Sequence, residues 1–248
     1  MGWLCLLLAA GPLVAAGPVR VVGIRAVGPG LGANGTELQA FREQPGLTLA
    51  LAVQAPAGKS VIEVDDDGCV VDSLTDDRGT NLLESVDWGP FPETTEDGRH
   101  ALIELRARSR PAAGASKVRA KGSLALQVAA GVESEKIASL ALSAGQKLET
   151  RRGTLELVEV AGEDEGATLT FGATMQIRDE LKEIRFLGAD GQPIEIWGRG
   201  SMTMGNAVQL EYVLREKPAK VTVELDWWQG LEAVKVPFEV EVGLGLTE

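Results

Sequence analysis

Large apolar side chains occupy every second position at Val208, Leu210, Tyr212 and Leu214, then at Val221, Val223, Leu225 and Trp227, and again at Val234, Val236, Phe238, Val240, Val242 and Leu244. A repeat of two is the spacing of a strand with one buried face, because successive side chains leave opposite sides of a pleated backbone. A helix needs its apolar residues three and four apart, so this pattern confines the region to β structure. Leu47, Leu49, Leu51 and Val53 repeat it earlier in the chain, with Thr48, Ala50 and Ala52 between them. The expectation is an all-β protein.

Turn chemistry punctuates these runs. Lys182 to Trp197 reads as a hairpin: Ile184 and Phe186 precede Asp190-Gly191 and Ile194 and Ile196 follow it. An Asp-Gly pair supplies the positive φ angles of a type I′ turn. Val61 to Asp65 and Cys69 to Ser73 flank Asp67-Gly68 in the same way, which predicts a second hairpin with Val64 opposite Val71 and Glu63 opposite Asp72. Leu169, Phe171, Ala173, Met175 and Ile177 predict one continuous strand, and Ser85 to Arg99 a long loop. Glu133 to Ala144 fits helix or strand spacing equally. Pro237 lies on the outward phase of the last strand, where a missing N–H calls for an edge or a bulge.

A chain of 248 residues is long enough for two cores. The expected division is a signal peptide over 1–16, an N-terminal β-sandwich over 17–135 and a C-terminal β-sandwich over 136–248. The apolar run Trp3 to Ala10 followed by Val14-Ala15-Ala16 reads as a secretory signal, too short to span a bilayer. Its removal takes Cys5 and leaves Cys69 unpaired, and an exported chain without disulfides fits a bacterial periplasm or exterior. Asn34-Gly35-Thr36 has the form of a glycosylation acceptor but is first a turn signal. A net charge of -12 repels a phosphate backbone, which argues against a nucleic-acid partner.

The seven runs between Leu155 and Leu244, separated by turn signals, resemble those of bacterial secreted proteins built from tandem immunoglobulin-like or fibronectin type III-like sandwiches. Val19 to Val128 shares the pattern more loosely. The resemblance implies that the second domain is immunoglobulin-like, with about seven strands. It implies no site, because this fold hosts many activities.

Few residues invite chemistry. His100 is the only histidine, so a triad or a multi-histidine zinc site lacks partners. Cys69 shares a phase with Ile62, Val64 and Val71 and reads as a core residue. The carboxylates Glu63, Asp65, Asp72 and Asp76 form the candidate metal site, with calcium the ion that oxygen donors suit. The hairpin that would bring them together carries the argument, and a solvated acidic face is the plainer account. Of Trp88, Trp197, Trp227 and Trp228, strand phase puts Trp227 in the core and Trp228 outward, as a candidate surface contact. The leading expectation is a non-enzymatic interaction or structural protein with a protein or carbohydrate partner. The alternatives are a calcium-assisted carbohydrate- or ligand-binding module and a carboxylate-based hydrolase.

Overall fold

The computed structural model describes residues 17–28, 45–90, 92–162, 166–205 and 207–245. The expected signal peptide and the Asn34-Gly35-Thr36 triplet lie outside these residues. Among the described residues the protein is nearly all-β, with 68% in strands and 4% in helix, and its sheets are antiparallel. No helix among the described residues is long and apolar enough to cross a membrane.

Unit 1 takes in the chain up to Val128 and again from Glu232. Its strands are β1 (Val19–Val27), β2 (Gly46–Gln54), β3 (Ser60–Asp76), β4 (Val86–Trp88), β5 (Glu93–Thr94), β6 (His100–Ala107), β7 (Lys117–Ala129) and the last strand of the chain, β16 (Glu232–Gly243). One sheet runs β1-β2-β6-β4 with β5 also on β6, and the other runs β16-β7-β3. The alternation in β2 has its expected consequence. Leu47, Leu49, Leu51 and Val53 are buried, opposite Ala107, Leu105, Ile103 and Ala101 of β6. They share a core with Leu74, Val118, Leu124, Leu126 and Phe238. Pro237 is exposed on β16, an edge strand as its missing N–H requires.

Unit 2 is Ala129–Leu231. It holds β8 (Gly131–Ala141), β9 (Gln146–Thr150), β10 (Gly153–Ala161), β11 (Ala167–Thr174), α1 (Met175–Glu180), β12 (Leu181–Leu187), β13 (Ile196–Met204), β14 (Ala207–Leu214) and β15 (Lys220–Gln229). The sheets are β13-β14-β11-β10-β9 and β12-β15-β8. Trp227 and an aromatic trio fill the core. Phe171 stacks on Phe186 at 6.1 Å between centroids, and Tyr212 meets Phe186 edge-on at 5.6 Å. Burial pushes the Tyr212 hydroxyl up to about 12.

Five expectations change. The division at 135/136 falls inside β8. The last strand, expected in the second sandwich, pairs instead with β7 from Glu232↔Val128 to Gly243↔Lys117, so unit 2 is inserted between two paired strands of unit 1. No hairpin forms at Asp67-Gly68, because β3 continues through it for 17 residues in all. Gly68 has no positive φ there, and a Cβ on it would come within 2.8 Å of the Ala125 Cβ on β7, so the glycine serves close strand packing rather than a turn. The Asp190-Gly191 turn does form, with Gly188 O accepting from Gly191 N at 3.0 Å and only Gly191 at positive φ. It is a type I-like turn closed by a left-handed glycine, and the strands it joins diverge into different sheets. Finally, the run Leu169 to Ile177 breaks at Thr174, whose hydroxyl accepts from Ile177 N at 3.2 Å and caps α1.

Candidate functional site

A continuous β3 takes the candidate metal site apart. Glu63 and Asp72 lie nine positions apart along one strand, up to roughly 30 Å at about 3.3 Å per residue. No single ion reaches both, and the separation far exceeds the roughly 5–10 Å of a glycosidase carboxyl pair. Glu63, Asp65 and Asp72 are exposed. Among the described residues, no three His, Cys, Asp or Glu side chains converge as metal ligands.

Asp76 is buried and has another task. Its Oδ1 accepts from Thr80 N at 2.8 Å and Arg78 N at 2.9 Å, and its Oδ2 accepts from Ala112 N at 2.7 Å. Burial alone raises the carboxyl pKa, but the N–H groups of Ala112, Thr80 and Arg78 together outweigh it and hold it below its ordinary 3.8. The side chain closes the turn after β3 and ties it to the loop before β7. Asp76→Ala is therefore expected to destabilise unit 1 by about 3 kcal/mol in denaturant melts, equally in calcium and in chelator. A depressed folded-state pKa stabilises above the ordinary carboxyl value and is lost as pH falls through the lower one, so the gap between wild type and variant should hold above about pH 4 and narrow as pH falls below it.

Cys69 is buried, and its sulfur accepts from Ala125 N at 3.2 Å. Burial is the main cause that raises its thiol pKa, with Asp65 and Asp66 adding to it, and this is the reverse of what a nucleophile requires. His100 is exposed at the start of β6, opposite Gln54.

The tryptophans separate clearly. Trp227 is fully buried and donates from Nε1 to Glu135 at 3.1 Å. Trp228 points outward as expected but is half-buried, with Lys182 Nζ 5.0 Å above its ring. Around it, ion pairs close the outward face of the β12-β15-β8 sheet. Arg185 grips Asp226 through two bonds of 2.7 and 3.1 Å, and Ser134 Oγ donates to the same carboxylate at 2.6 Å. Arg185 lowers the Asp226 pKa accordingly.

The three most exposed large apolar side chains of unit 2 lie instead on β13, a strand whose apolar alternation ends at its first residues. Trp197 is 62% exposed, Met202 60% and Met204 55%. Trp197 occupies a bulge between Ile196 and Gly198 and carries the Arg215 guanidinium over its ring at 5.7 Å. From there Gly198, Gly200, Met202 and Met204 pair with Val213, Glu211, Gln209 and Ala207, so all four project from the outward face of the sheet. Arg199, Ser201 and Thr203 form the alternate row, and Arg199 is paired with Glu183 at 3.1 Å.

β13 is an edge, and among the described residues no strand pairs with its free side. Other edges are guarded. The opposite edge of the same sheet, β9, is short and carries Lys147 and Glu149, and β16 carries Lys235, Pro237 and Glu239. From Ile196 to Leu210 the sole charge is Arg199. A long edge with exposed methionines and almost no charge is a template for another strand.

Comparison with protein families, with curated proteins and with solved structures returned no match.

Proposed function

We propose that the protein is an exported, non-enzymatic interaction protein of the periplasm or exterior that holds a protein partner along the free edge of β13. The observation that carries this reading is the exposure of Trp197, Met202 and Met204 on an unguarded edge strand. Backbone N–H and C=O groups along such an edge supply affinity for an extended segment, and the side chains on either face supply selectivity. The calcium-assisted carbohydrate reading requires an exposed aromatic beside the acidic residues. Among the described residues of unit 1 the exposed large apolar side chains are Val22 and Val70, neither of them aromatic, which gives that reading no support.

A photoreactive residue placed at Thr203 tests the proposal in the producing cell. The expected result is a cross-linked protein product that disappears when Met202→Lys is added and is absent when the probe sits at Glu149 on β9. A folded protein that yields no product from Thr203, or the same product from both positions, would rule out β13 as the docking edge.

A further inference from the structure

We infer that the segment docking on β13 is β13 of a second copy, paired antiparallel about a two-fold axis at Ser201. This rests on the reading of β13 as the docking edge and adds the partner. With the axis at Ser201, Gly198 faces Met204 of the second copy, Gly200 faces Met202, and Arg199 faces Thr203. Each pair has the same parity, so every methionine lies on the outward face directly opposite a glycine and covers backbone that has no side chain of its own. Seven residues of the strand are thus complementary to themselves, large against small, and no two like charges oppose one another.

Charge and size favour the same partner. Two copies of a chain with net charge -12 repel, and β13 is where they can approach with few carboxylates facing each other, since Arg199 is its one charge and Glu183 already pairs with it. Seven residues at about 3.4 Å each form a ladder of about 24 Å. An edge contact of that length falls below about 1,200 Å², the range of weak, reversible association, so the dimer should dissociate on dilution.

Gly200 provides a test that leaves the fold alone. Its φ is not positive, and a Cβ there would meet nothing nearer than the Glu211 Cβ at 3.8 Å, so Gly200→Val fills the space meant for the second copy's methionine without strain in its own chain. Sedimentation of the full chain over a concentration series should show a monomer–dimer equilibrium. Gly200→Val and, separately, Met202→Lys should each weaken it by roughly tenfold or more while melting stays unchanged. Register is read by mild oxidation. Ser201→Cys should form a disulfide-linked dimer, Thr203→Cys alone should not, and a mixture of Thr203→Cys with Arg199→Cys should. A chain that stays monomeric at all concentrations, or a dimer indifferent to Gly200→Val, overturns the inference. If the Thr203 probe still captures another protein in that case, β13 remains a docking edge for a different partner. If it captures nothing, both readings fall.

Discussion

A chain ended at Leu231 should fail to form unit 1, whereas residues 129–231 alone should fold cooperatively. β16 meets β7 at every position from Glu232 to Gly243 and places Val236 and Phe238 in the unit 1 core. Loss of a buried Phe side chain alone costs about 3–5 kcal/mol, and a buried Val adds to this. Removing the whole ladder as well approaches the roughly 5–15 kcal/mol that holds an ordinary domain together. Unit 2 keeps both its sheets and its core on excision, since these lie within 129–231, and Gly131 and Gln229 near its ends are paired with each other. A fragment cut at 136 should behave worse than one cut at 129. It starts inside β8, discards the Glu135 carboxylate that accepts from Trp227, and carries β16 without β7. Thermal melts and amide dispersion in NMR spectra of the three fragments check this. A native-like transition for unit 1 in the chain ended at Leu231, or an unfolded 129–231, would contradict the insertion.

The strand faces were legible because burial imposes a period on sequence, and they were illegible where burial does not. Leu47 to Val53, Val208 to Leu214 and Val221 to Trp227 show their phase plainly, since each has one face on a core and one away from it. The stretch from Arg199 to Met204 is exposed on both faces, so it has no apolar period to read, and its glycines resemble a loop. The feature that exposes it as a docking edge therefore also hides it as a strand. A signal existed in the near absence of charge from Ile196 to Leu210, which is unusual in so acidic a chain. Asp67-Gly68 and Asp190-Gly191 carry the same dipeptide and part ways for a tertiary reason. At Gly191 nothing approaches the backbone and a left-handed turn is free to form, while at Gly68 the neighbouring strand β7 holds the chain extended. Membership of β16 in unit 1 left no local trace, because its alternation fits any sheet and only the pairing with β7, more than a hundred residues away, decides it. The candidate metal site failed with the hairpin that was to assemble it.

Neighbouring tryptophans on β15 should respond oppositely to truncation. Trp227 is fully buried between the two sheets of unit 2, opposite Leu181 on β12 and Glu133 on β8. Trp227→Ala is expected to destabilise unit 2 by about 3–5 kcal/mol, the cost of deleting a core aromatic. The carboxylate it leaves behind adds little, because Glu135 still accepts from Arg151 N at 3.2 Å. Trp228 points the other way and keeps part of its surface in water, with Lys182 above its ring. Trp228→Ala should cost about 1 kcal/mol, the scale of an exposed cation–π contact with some lost cover. Chemical denaturation of the two variants measures the difference, and acrylamide quenching checks the phase behind it. The readily quenched emission should come mainly from Trp197, which is far more exposed than its neighbours, so it should survive both substitutions and fall in Trp197→Ala. Loss of that emission in Trp227→Ala with its retention in Trp197→Ala would mean that β15 turns the opposite face to the core, and the pairing of β15 with β8 and β12 would fall with it.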